Sequence, residues 1–214
     1  MILSRGRRYL FIHIPKTGGT SMALALEARA MKDDLMLGDT PKARQRRHRL
    51  AGAQAAGRLW KHSTLSDLDG VVGPPELETL FVFTMVRNPW DRLVSYYHWI
   101  KGQRFAHPHV ALAAGSDFAG FVSDASVMGA FRAVPARSYV TGRDGRECCN
   151  LFVRLEHLDT DLRPLEAHLG FALHLPHINA SARAPGYRSM YDDRTAGLVA
   201  QACAEDIARF GYVF

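Results

Sequence analysis

The chain has 214 residues, a length that fits one folding domain, 1–214, with a core of its own. Apolar residues make up 47% and charged residues 22%, ordinary globular usage that excludes a disordered chain; 27 Lys+Arg against 21 Asp+Glu give a net charge of +6, which favours anionic partners. Three cysteines, Cys148, Cys149 and Cys203, are odd in number and include an adjacent pair, a poor disulfide framework that points to a reducing compartment.

Residues 1–8 reach three arginines quickly, and the apolar, β-rich run at 9–14 that follows is too short for a signal peptide. No stretch approaches the roughly 20 apolar residues of a membrane-spanning helix, so no stable membrane insertion is expected. The segment Phe11-Ile12-His13-Ile14-Pro15-Lys16-Thr17-Gly18-Gly19-Thr20-Ser21 passes from that strand through a glycine pair into a helical pattern at 21–31. Chemically this is a phosphate cradle. Gly18 and Gly19 let the backbone turn and approach an anion, amides at the helix start donate to its oxygens, and Thr17, Thr20 and Ser21 add hydroxyls. Lys16 adds a full charge but precedes the glycines, the reverse of a Walker A loop, which disfavours a nucleotide-hydrolysing P-loop enzyme. A glycine-rich turn without a ligand is the structural alternative.

The long stretch before the second strand holds Gly38 to Pro41, a basic run (Lys42, Arg44, Arg46, Arg47, His48, Arg49) and Gly70 to Pro75. It reads as excursions over the carboxyl edge of a sheet, where open α/β folds bind ligands. The basic run is either a solvated loop or a means of steering a polyanion. Trp60-Lys61-His62-Ser63-Thr64 lies in the same stretch.

The second strand, 80–86, leads into Arg87-Asn88-Pro89-Trp90-Asp91-Arg92-Leu93-Val94-Ser95-Tyr96-Tyr97. Asn88 reads as an N-cap, Pro89 as the first helical position, and Asp91 suits the helix dipole. Arg87 at the strand end offers a rigid fork for a phosphate, and Ser95, two turns into the helix at 91–101, a further hydroxyl. A salt-bridged strand end is the alternative for Arg87. Residues 105–139 read as a helical insertion. A third strand at 151–155 and helices at 162–169 and 192–209 complete an alternating pattern, which implies a three-layer α/β domain: a central parallel β-sheet flanked by helices on both faces.

With both anion motifs quoted, the chain resembles the sulfotransferases, in particular the branch of carbohydrate sulfotransferases and bacterial relatives. Pro15 to Ser21 is similar to their 5′-phosphosulfate loop, and Arg87 to Tyr97 to their 3′-phosphate motif, in which the arginine and the serine eight positions on bind the 3′-phosphate. Pro176 to Ser181, Tyr187, Tyr191, Asp206 and Phe210 to Tyr212 are similar to the same branch. The resemblance implies a single P-loop-like domain that uses 3′-phosphoadenosine-5′-phosphosulfate (PAPS), releases 3′-phosphoadenosine-5′-phosphate (PAP), and needs no metal. Lys16 would neutralise the leaving oxygen, and Ser181, Arg183 and Tyr187 would close a loop over the nucleotide.

An acceptor hydroxyl needs a base, and histidine titrates nearest neutral pH. Of ten histidines, His62 lies between the two motifs, where the carbohydrate branch similarly places its catalytic residue. His13, inside the first strand run, is expected to be packed and hydrogen-bonded. The acceptor implied is a hydroxyl-bearing saccharide, and the place implied is a bacterial cytoplasm. A small-molecule kinase on a related fold and a non-catalytic nucleotide-binding module are the alternatives. Nucleic acid is disfavoured, because the basic run has no interleaved aromatic residues.

Overall fold

The computed structural model describes residues 1–176 and 186–214. The chain forms β1 (Ile2–Ser4), β2 (Tyr9–Ile12), α1 (Gly19–Ala28), β3 (Leu35–Met36), α2 (Pro41–Arg46), α3 (Pro74–Leu77) and β4 (Phe81–Val86). There follow α4 (Pro89–Lys101), α5 (Pro108–Gly115), α6 (Phe118–Ser123), α7 (Ala125–Ala133), α8 (Ala136–Tyr139) and β5 (Leu151–Arg154). The rest is α9 (Leu158–Asp161), α10 (Arg163–Leu169), α11 (Asp193–Ala202) and α12 (Ala204–Phe210). These elements divide into two compact units, Met1–Val86 with Ala136–Ile178, and Arg87–Pro135 with Asn179–Phe214.

The first unit carries the sheet, in the order β3-β1-β2-β4-β5. The three strands legible in the sequence, β2, β4 and β5, are parallel neighbours. The sheet is nevertheless mixed, because β1 pairs antiparallel with both β2 and β3. Register decides which side chains share a face: Tyr9, Phe11, Phe83, Met85 and Val153 point one way and pack with Met22, Ala25 and Leu26 of α1 and Leu165 and Leu169 of α10. The intervening Leu10, Ile12, Val82 and Thr84 are buried too. A strand covered on both faces loses its polar alternation, which is why these runs read as continuous apolar segments.

Arg44, Arg47, His48 and Arg49 of the basic run are exposed, yet part of the run is engaged by backbone. Lys42 Nζ donates to Glu27 O at 2.7 Å, Arg46 to Met31 O at 2.7 Å, and Arg49 to the carbonyls of Lys32 and Asp34. Three of its cations thus satisfy carbonyls at and beyond the end of α1, where a helix leaves acceptors unbonded.

The second unit is helical. Trp90, Leu93, Val94 and Tyr97 of α4 pack with Phe118, Phe121, Val127 and Val199. The stretch 105–139 is helical as expected, contributing α5 to α7 to this unit and α8 to the first. The tail at 192–209 is two helices rather than one, broken at Cys203, which leaves helical geometry at φ −110°, ψ 22°.

Candidate active site

In the first unit the chain leaves β2 at Ile12, turns through residues 13–18 and enters α1 at Gly19. Two residues take left-handed backbone there, Lys16 at φ 67° and Gly18 at φ 86°. Gly18 bears that conformation without cost, whereas a lysine in it stores roughly 1–3 kcal/mol of strain, which folds retain mainly at functional positions. Thr17 is buried and its hydroxyl donates to Ile14 O at 2.8 Å, bracing the loop, so its amide rather than its hydroxyl proton is what it offers an anion. Thr20 and Ser21 stand half-buried in the first turn of α1. That turn contains no acidic residue, and no side chain caps it. The first amides of a helix have no acceptor within the helix, so this end suits an external anion.

His13 ties this loop to the candidate base. Its ring is buried, stacked on Phe11 at 5.8 Å between centroids, and sits so close to Gly19 that a Cβ there would lie 2.1 Å from the imidazole Cδ2. Glycine at 19 is therefore dictated by His13 as much as by any ligand. The expected packing of His13 holds; the bond it makes is through its backbone. His62 Nδ1 lies 2.7 Å from His13 O. A carbonyl only accepts, so Nδ1 carries the hydrogen and Nε2 of neutral His62 keeps its lone pair. The two rings meet edge to face at 4.5 Å.

Burial lowers the His62 pKa to about 4; the bond to His13 O opposes that shift and the charge of Lys61 adds to it. Burial, followed by His62 itself, also pushes His13 well below the ordinary histidine value. Both rings are thus neutral at pH 7. The segment bearing His62 is firmly held: Ser63 Oγ accepts from Trp60 N and donates to the carbonyls of Arg58 and Trp60, each at 2.9 Å. Asp67 Oδ2 accepts from Thr64 N and Oγ1.

In the second unit Asn88 caps α4, accepting from Trp90 N at 3.1 Å, with Pro89 following as expected. Arg87 pairs with Asp91, four residues on, through Nε at 2.8 Å and Nη2 at 2.6 Å. The salt-bridged reading of Arg87 is thereby realised, and the i,i+4 spacing of opposite charges was the signal for it. Such a pair also holds a guanidinium in one orientation. Ser95 is half-buried two turns along the same helix. Tyr187 begins a short 3-10 turn, and its hydroxyl accepts from Asn88 Nδ2 at 3.2 Å. Ser181 and Arg183 lie outside the described residues.

Several other histidines are built into the fold. His107 Nδ1 accepts from the amide of His109 at the start of α5, His109 Nδ1 meets the Tyr96 hydroxyl at 2.9 Å, and His168 Nε2 lies 3.0 Å from the carbonyls of Arg7 and Arg8. Sequence reasoning missed the His13 carbonyl that orients His62, since a backbone acceptor leaves no mark in residue types.

The profile described as "Sulfotransferase family" matches residues 1–211. The crystal structure of mouse sulfotransferase SULT7A1 complexed with PAP aligns over 94% of this chain and 66% of that one, at 16% identity and a TM-score of 0.37. No curated protein matches the sequence.

Proposed function

Because the chain belongs to the sulfotransferase family, we propose that it moves a sulfuryl group from PAPS to an acceptor hydroxyl and releases PAP. PAPS supplies sulfur already activated as a mixed anhydride with phosphate. The chain's part is to hold that anion, stabilise the departing charge and accept the acceptor's proton. The loop from Lys16 to Ser21 takes the 5′-phosphosulfate, with Gly18 and Gly19 allowing close approach, Thr17 to Ser21 donating, and Lys16 neutralising the oxygen on which charge develops. Arg87 and Ser95 take the 3′-phosphate, and Ser181, Arg183 and Tyr187 belong to the nucleotide-covering segment.

His62 receives the acceptor proton at Nε2. The observation that carries the reading is His13, which bonds His62 Nδ1 through its carbonyl and packs its ring against Gly19 of the anion loop. One residue thus connects base and cradle. The acceptor is a saccharide hydroxyl and the setting a bacterial cytoplasm, both resting on the resemblance to the carbohydrate branch. Among the described residues no helix is long and apolar enough to cross a membrane.

Calorimetric titration with PAP, beside ATP with magnesium, tests the assignment. Preference for PAP that is lost in Arg87→Ala is expected. Preference for ATP with magnesium would replace the reading with a kinase.

A further inference from the structure

An acceptor whose hydroxyl reaches Nε2 of His62 must lay its remaining atoms on whatever surrounds that ring. On one side stands Trp60, its ring 4.9 Å from the imidazole and nearly perpendicular to it at 84°. Trp60 is 40% exposed, and among the described residues it belongs to neither the core cluster of the sheet nor that of the helical unit. The guanidinium of Arg58 lies 5.0 Å from the centre of the Trp60 ring. Arg58 is exposed, and among the described residues no carboxylate pairs with it. Its neighbour Lys61 is matched by Asp39, so the uncompensated charge beside Trp60 is that of Arg58. Ser63 bonds the carbonyls of both Arg58 and Trp60 and the amide of Trp60, so the two side chains issue from a braced turn.

We propose that Trp60 and Arg58 form the acceptor-recognition element of this enzyme and that the acceptor is an anionic saccharide, bearing a carboxylate or a comparable acid group near the hydroxyl that is sulfated. A pyranose presents a face of C–H groups that packs on an indole, and a stacked guanidinium offers a fixed fork to a carboxylate. Stacking on Trp60 keeps that fork ordered before the acceptor arrives. The proposal rests on His62 being the base of a sulfuryl transfer.

The test uses the full chain with uronic-acid tetrasaccharides and their carboxyl-reduced counterparts, measuring kcat and KM for each together with PAP affinity. The wild type should favour the acidic acceptors by about tenfold in kcat/KM, the usual weight of a charged hydrogen bond. Arg58→Ala should erase that preference through KM, Arg58→Lys should restore part of it, and PAP affinity should not move. Trp60→Ala should raise KM for both acceptor types, while Trp60→Phe retains most of the affinity. Equal use of acidic and reduced acceptors, or an acid preference that survives Arg58→Ala, would overturn the proposal while leaving the transferase reading intact. So would PAP binding with no transfer to any acidic probe. A wild type that binds no PAP would instead bring down the transferase reading, and this one with it.

Discussion

Burial keeps His62 neutral while its bond to His13 O fixes the tautomer that leaves Nε2 able to accept, and the consequence of the burial is measurable. With its pKa held at about 4, the ring is neutral throughout the neutral range, so the acid limb of kcat/KM should fall near pH 4 rather than near the ordinary histidine value of about 6.5. An acid limb near 6.5 would mean that another group takes the proton. His62→Gln, which keeps polarity but cannot accept the proton, should lower turnover by roughly 10²- to 10⁴-fold with PAP affinity little changed. Lys16 makes a different prediction, because in the proposed reaction its charge is needed most where the leaving oxygen becomes anionic. Lys16→Ala should reduce kcat by roughly 10²- to 10³-fold and weaken PAP binding far less, as rapid-mixing kinetics beside calorimetry would reveal. A variant weakened equally in both would make Lys16 a ground-state binder.

In the loop between β2 and α1, the His13 ring, one residue past the strand, fills the space a side chain at 19 would need. Gly19→Ala should therefore cost about 1–3 kcal/mol by overpacking, since the His13 ring is wedged between Phe11 and His62 and has little room to yield. The same substitution in a His13→Ala background should cost clearly less, a coupling that denaturant melts of the four proteins would expose. The α4 start offers a second case. Asn88→Ala removes the cap on Trp90 N and the donors to Tyr187 and Val213, and should destabilise by at least about 1 kcal/mol. That cap was readable from Asn88-Pro89 alone, as were β2, β4 and β5 from their unbroken apolar runs, because both signals are local. The two short antiparallel strands β1 and β3 were not. At three and two residues they are too short to show a period, and they exist through pairing with each other and with β2. The role of the basic run was hidden for a similar reason: the carbonyls that Lys42, Arg46 and Arg49 satisfy belong to another segment of the chain.

Across the molecule, buried neutral histidines and paired carboxylates divide the response to acid into two windows. A histidine whose folded pKa lies below its unfolded value leaves the folded state with fewer protons than the unfolded one, so stability declines as pH falls below about 6.5 and the loss continues until the folded group titrates. His62, at about 4, and His13, pushed well below the ordinary histidine value by burial, place this loss in the range that opens at about pH 6.5 and, for His62, runs to about 4. Asp161 follows the same sign in a lower window. Arg154 bonds its carboxylate through Nε at 2.8 Å and Nη2 at 3.0 Å and lowers its pKa to about 2, so its contribution is fully present above the ordinary carboxylate value and disappears as pH falls from there through about 2. Thermal melts from pH 7.5 downward should therefore show a first decline already under way at pH 5.5, before most carboxylates titrate. His62→Gln should flatten this first decline, and Arg154→Ala should leave it in place while reducing the later one. A wild type whose melting temperature stays level from pH 7 to 4.5 would show that these imidazoles are hydrated in the folded protein, and the neutral base at His62 would lose its physical cause.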